Sequence, residues 1–140
     1  MMDVDALIEL YELQPHPEGG HYRETYSATK GSGPRGAVSA IYYLLKHEEK
    51  SAWHRIDAVE IWIHCAGDPL RLSLSSDGVT VTEQRLGTGN GAVPHAVVPI
   101  NWWQSAVSEG AWSLVSCVVA PAFDFSGFEM APQDWHPGMQ

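Results

Sequence analysis

His54 and Glu60 stand close together in Ser51-Ala52-Trp53-His54-Arg55-Ile56-Asp57-Ala58-Val59-Glu60. On adjoining β segments that spacing can bring an imidazole and a carboxyl to one place. An imidazole titrates near neutrality and a nearby carboxylate raises its basicity, so such a pair can move a proton or offer two ligands to a metal. Spacing alone equally suits a hydrogen-bonded structural histidine. Within residues 58–66, Glu60, Trp62 and His64 share one parity, and Val59, Ile61, Ile63 and Cys65 share the other. The apolar set is expected to pack on another element. That leaves Glu60, Trp62 and His64 facing solvent or a lumen, and the bulk of Trp62 favours a lumen.

A second group of reactive side chains lies in His16-Pro17-Glu18-Gly19-Gly20-His21-Tyr22-Arg23-Glu24. Pro17 and the glycine pair shape a sharp entry into the first strand. Glu18, His21, Arg23 and Glu24 could ring a pocket mouth, with Arg23 gripping an anionic group. Parity sets Arg23 with His21 and Thr25, and Glu24 with Tyr22 and Tyr26. Arg23 and Glu24 divide evenly between a pocket role and a dimer contact. His47, His95 and His136 are expected on exposed loops, and Trp112 and Trp135 as core or interface fillers.

These residues need a scaffold, and the chain supplies mainly strands. Leu7, Leu10 and Tyr11 at helical spacing, with Asp3 or Asp5 as N-cap, predict one short helix over 4–13, ending before Pro15. Strands are predicted over 21–27, 37–45, 58–66, 70–75, 79–86, 96–100, 103–108 and 112–120, a set rich in Val, Ile, Tyr, Trp and Thr. Ser75-Ser76-Asp77-Gly78 marks a hairpin and Gly67-Asp68-Pro69 a turn. Residues 29–36 and 87–91 read as flexible loops too short to link domains. The fold expected is all-β, a jelly-roll sandwich or barrel with one short N-terminal helix.

The 140 residues are expected to form one domain, and 44% hydrophobic residues suffice to fill its core. A net charge of −9 argues against nucleic acid and against an anionic membrane surface. No apolar run is long enough for a membrane span, and the acidic first residues lack the features of a signal peptide, so the protein is expected in the cytoplasm. Cys65 and Cys117 are expected as buried free thiols. Six Trp in so short a chain imply a heavy core or an aromatic-lined cavity.

The 51–62 segment, followed by Ala66-Gly67-Asp68-Pro69-Leu70, resembles the first motif of the cupins, and more narrowly the small-cupin family DUF985, also called cupin family 5. Residues 13–26, Ala40-Ile41-Tyr42-Tyr43-Leu44-Leu45, Val98-Pro99 with Trp103-Gln104, and residues 114–125 are similar to that family too, so the resemblance covers about 7–129. It implies a cupin barrel and a homodimer. The superfamily's metal site uses His-x-His-x(3 or 4)-Glu-x6-Gly and then Pro-x-Gly-x2-His. Here His54, Glu60 and Gly67 match, while Ile56 and Gln104 occupy two ligand positions and Asn101 replaces a glycine. Ile cannot ligate and an amide is a poor transition-metal donor, so neither a metal nor another cofactor is expected. The chain then resembles the superfamily's metal-free sugar-nucleotide epimerases. That implies His54 as general base beside a ketone and Glu60 as its orienting partner. Gln104, Trp62, Tyr43, His64, Arg23 and Glu24 would contact a sugar-like or small polar ligand. The alternatives are a binding module that uses the same cavity without turnover, and a metal-dependent enzyme.

Overall fold

The computed structural model describes residues 3–28, 35–89 and 91–139. Its elements in chain order are α1 (Val4–Leu10), β1 (Gln14–Pro15), β2 (His21–Ser27), β3 (Ser39–Lys46), β4 (Lys50–Ile56), β5 (Val59–Gly67), β6 (Leu70–Ser75), β7 (Thr82–Leu86), β8 (His95–Val98), β9 (Trp103–Ser108), β10 (Trp112–Ala120) and β11 (Phe128–Met130), with a single 3-10 turn at Phe125–Gly127. They form two antiparallel sheets, ordered β1-β2-β3-β10-β5-β8 and β11-β4-β9-β6-β7. This is the mostly-β jelly-roll architecture expected, with one short helix.

Alternation along the strands builds the core between the sheets. Tyr43 and Leu45 of β3, Trp62 of β5, Leu70, Leu72 and Leu74 of β6, and Val115 and Cys117 of β10 form one buried cluster. The intervening residues Leu44 and Leu114 point to the outer side of the first sheet, where Leu7 of α1, Leu13 and Trp112 cover them. The helix thus shields one end of that outer face. Asp3 caps it by accepting the Asp5 amide. It stops at Tyr11, earlier than predicted, because Glu12 adopts a left-handed conformation (φ 54°) that cannot continue the helix.

Several boundaries differ from the sequence pattern for identifiable reasons. The β6–β7 hairpin forms, but β7 begins at Thr82, because the Asp77 carboxylate accepts the Val79 and Thr80 amides at 2.8 Å and holds them in the loop. Strand β4 carries His54 yet was not predicted as a strand. Its inward residues are Ser51, His54 and Ile56, so no apolar alternation announces it. The apolar parity of β5 does not pack on another element: Ile63 is 36% exposed and Cys65 is exposed, while Glu60 and Trp62 face the interior. Cys65 is therefore a surface thiol; Cys117 is buried, and both are free. Of the two loops, residues 29–34 and position 90 lie outside the described residues.

The chain turns from β5 at Gly67 (φ 82°), where a β-carbon would stand 2.5 Å from both the Trp112 ring and its carbonyl oxygen. Gly67→Ala is expected to lower the unfolding free energy by about 2–4 kcal/mol, through left-handed strain and displacement of Trp112. Urea denaturation checks this; a loss below about 1 kcal/mol would mean the turn relaxes freely.

Candidate functional site

The His16-Pro17-Glu18-Gly19-Gly20 turn closes on itself, with the His16 amide donating to the Gly20 carbonyl (2.9 Å) and the Gly19 amide to that of His16 (3.0 Å). It lies against β4: a β-carbon on Gly19 (φ 108°) would fall 2.1 Å from the Lys50 carbonyl oxygen. The Ala52 amide donates to the Glu18 carbonyl at 2.8 Å. Only glycine permits so close an approach. The turn thereby delivers the Glu18 side chain between the sheets, where it is buried.

There Glu18 Oε1 accepts the Ser51 hydroxyl at 2.9 Å, and Glu18 Oε2 lies 3.1 Å from His54 Nε2. His54 Nδ1 is 2.7 Å from the Ala52 carbonyl oxygen, which can only accept, so Nδ1 carries a proton. In neutral His54, Nε2 then carries the lone pair and faces the Glu18 carboxyl. The ring stacks on Phe128 of β11 at 5.4 Å. His16 has the opposite tautomer, since its Nδ1 accepts the Glu18 amide at 3.0 Å.

Glu60 enters from the opposite sheet. The Trp62 indole can only donate and gives its proton to Gln104 Oε1 at 2.8 Å, which turns the Gln104 amide nitrogen toward Glu60 Oε1 at 3.0 Å. Gln104 pairs with His54 across β9 and β4, so one strand pair supports both groups. Burial pushes the Glu60 carboxyl up to about 7 and that of Glu18 up to about 8, with the Ser51 and Tyr43 hydroxyls pulling Glu18 back only partly. Burial lowers His54, opposed through space by Glu60, and takes His16 down to about 4. Tyr43, whose hydroxyl donates to the Gly19 carbonyl, is held well above its ordinary range by burial.

These groups open on a cavity of about 190 Å³ between the sheets. His16, Glu18, His54 and Glu60 line it with Tyr22, Glu24 and Cys117, and Phe123 and Phe125 belong to its wall. The expected residues divide. His54, Glu60 and Glu24 reach the cavity. Gln104, Trp62 and Tyr43 are fully buried behind its wall, where they set Glu60 and the turn rather than contact a ligand. Arg23 is a correction: alternation that sends Tyr22 and Glu24 inward sends Arg23 out, to Glu12 (3.2 Å) and the Tyr42 ring (5.6 Å). His64 is another. Four residues beyond Glu60, roughly 13 Å along the strand, its Nε2 meets the Asp68 carbonyl at 3.0 Å, away from the cavity. The carboxyl bonded to His54 is that of Glu18, not Glu60.

The sequence offers Glu18 as a pocket-mouth candidate and singles out neither His16 nor Ser51. The density of His and Glu around the glycine pair was the available signal. Asp124 caps the 3-10 turn through the Ser126 amide, which holds Phe125 at the cavity.

A four-ligand metal site of the kind implied by resemblance does not fit these residues. Ile56 lines the cavity at one ligand position, and the Gln104 carbonyl oxygen at another is already used by Trp62. Among the described residues, no group of three or more His, Cys, Asp and Glu side chains is arranged to hold a metal ion. Asn101, at the position of the motif's glycine, does adopt the left-handed conformation (φ 67°).

A family model described as "Cupin superfamily (DUF985)" matches residues 5–131. Protein SO0799 from Shewanella oneidensis superposes with a TM-score of 0.89 at 36% identity, covering 96% of this chain and 87% of that one. A hypothetical protein from Leishmania major gives 0.82 at 28%, covering 96% and 90%. Oxalate decarboxylase from Bacillus subtilis gives 0.65 at 13%, covering 84% of this chain and 29% of that one, a likeness of fold alone. No curated protein matches.

The buried carboxyls predict a pH dependence of stability. From pH 4.5 upward the folded chain keeps protons on Glu60 and Glu18 that the unfolded chain releases, so stability falls as pH rises toward about 7 and about 8. His16 acts oppositely, adding stability between about pH 4 and 6.5, and is spent above that. Denaturant unfolding should therefore lose on the order of 2 kcal/mol between about pH 6.5 and 8. Glu18→Gln, whose amide mimics the protonated acid toward His54 and Ser51, should flatten most of that slope. A wild-type profile without the slope would mean that neither carboxyl is held protonated.

Proposed function

As the chain belongs to the DUF985 family of the cupin superfamily, we propose that it is a small-molecule-binding cupin performing metal-independent acid–base chemistry, an isomerisation or epimerisation of a sugar-like or small polar substrate. The observation that carries this reading is the meeting of the Glu18–His54 contact (3.1 Å) and the Gln104-anchored Glu60 carboxyl, from two sheets, on one cavity.

Enolisation beside a carbonyl needs a base for the carbon-bound proton and an acid for the oxygen, then the reverse. With Glu18 deprotonated, the Glu18–His54 pair is assigned the proton from carbon, and protonated Glu60 gives its proton to the carbonyl oxygen. Carboxyls whose protons leave at about 7 and about 8 can both give and take them near neutral pH. Ala52 fixes the His54 tautomer, and Gln104 anchors Glu60 through one of its oxygens. The binding-module alternative needs the same walls and no proton transfer.

Hydrogen exchange separates the two. Small α-hydroxy ketones and keto sugars incubated with the protein in D2O should lose their α-proton signals by NMR. Glu60→Gln and His54→Ala should each slow this by roughly 10²–10⁴-fold. Saturable binding with no exchange at any carbon would support the binding module and remove the isomerase reading.

We propose also that two copies pair through the outer face of the first sheet. Ile61 and Val97 stand in register there beside Ile63, with Val97 47% exposed. Light scattering should give twice the chain mass for wild type and a shift toward monomer for Val97→Asp; a monomeric wild type removes the proposal.

A further inference from the structure

The cavity's charge and size carry an inference about its ligand, resting on the assignment of this cavity as the ligand site. Its described wall contains no Lys or Arg and three carboxyl side chains, of which Glu18 and Glu60 are held largely protonated by burial and Glu24 stands at the exposed rim. The arginines nearest in sequence to wall residues are not part of the wall, although Arg23 keeps a buried Nε without a hydrogen-bond partner among the described residues. Arg23 pairs with Glu12, Arg35 with Asp57 at 2.8 Å, and Arg55 with Glu129 at 2.9 Å while lying over Trp103. An anion entering here would meet only His16 and His54, both of which burial disfavours as cations. A phosphate or carboxylate has no guanidinium or ammonium to replace its water.

The mouth is suited to the opposite charge. Tyr22, Phe123 and Phe125 bring aromatic surface to the wall, and Phe125 remains 54% exposed on its short turn. Phe123 and Phe125 meet edge to face at 4.8 Å, so they present a ring face and a ring edge together. An ammonium group is attracted to such faces, and Glu24 adds a carboxylate at the exposed rim. Deeper in, Glu60 is 7% exposed and accepts from Gln104 through one oxygen, with the Cys117 thiol beside the same carboxyl at the cavity wall. A net charge of −9 draws cations toward the chain and turns anions away.

Size narrows the class further. A volume of about 190 Å³ equals roughly six waters of liquid and falls below the ~300–1,000 Å³ of sites for drug-sized ligands. We infer that the cavity takes a small hydroxylated amine, of monosaccharide size or less, and refuses phosphates and nucleotides. The likeness to sugar-nucleotide epimerases therefore does not extend to their charged substrates.

Calorimetric or NMR titration with two matched sets tests this: glucosamine, glucose and glucose 6-phosphate, and ethanolamine, ethylene glycol and glycolate. In at least one set the amine should bind about tenfold or more tightly than its neutral partner, and the anion should not bind. Glu24→Lys, on the exposed rim and checked for wild-type thermal unfolding, should lose that preference and gain the anion. Neutral or anionic members matching the amine in both sets, or no amine binding at tens of millimolar, would overturn the inference. Amine preference without hydrogen exchange upholds it while removing the isomerase reading. Exchange on neutral ketoses without amine preference does the reverse.

Discussion

Two carboxyl groups placed between β-sheets impose the constraint around which the rest of the site is arranged. A buried polar atom without a partner costs about 1–3 kcal/mol, and a charged one more. Glu60 meets that constraint through Gln104, and Gln104 through the Trp62 indole, a chain in which each donor direction is fixed by the next group. Glu18 meets it through Ser51 and His54, and His54 through the Ala52 carbonyl. Each chain ends on a group with no second role open to it, an indole that only donates or a carbonyl that only accepts. The arrangement therefore has one set of tautomers and one amide orientation.

Positioning follows from the same requirement. Glu18 reaches the interior because a turn containing two glycines can lie directly against the backbone of β4. Glu60 and Trp62 occupy the inward parity of β5, which displaces the apolar parity to the outside. A strand with its polar residues inside and Ile63 and Cys65 outside gives up burial energy that a conventional assignment would gain. Such an inversion is expected where a polar interior is needed for binding or proton transfer and the outer apolar face has another partner.

Much of this was legible in the sequence, and the failures have physical causes. β2, β6, β9 and β10 coincide with their predicted spans: β2, β9 and β10 carry β-branched or aromatic residues, and β6 alternates Leu70, Leu72 and Leu74 with polar residues before the Ser75–Gly78 turn. The lumen-facing parity of Glu60 and Trp62 could be seen because Trp is rarely placed on a wet strand face. β4 escaped because its inward positions are Ser51 and His54, and hydrophobic periodicity cannot register a polar interior. His64 was grouped with Glu60 by parity alone, which fixes a face and says nothing of distance along the strand. Arg23 was drawn to the pocket by its chemistry, although its parity with His21 already separated it from Tyr22 and Glu24.

The sequence by itself determined the family, the jelly-roll class and the two segments that would carry chemistry, since these depend on local residue types and spacing. Only the tertiary structure decided that Glu18, rather than Glu60, bonds to His54, and that Gln104 stands behind the cavity wall. It alone decided that the arginines face away. Those outcomes depend on contacts between residues far apart in the chain: a turn at 16–20 crossing β4, and one sheet facing another. Neither composition nor periodicity encodes which of several nearby carboxyls will meet a given imidazole once the backbone has closed around them.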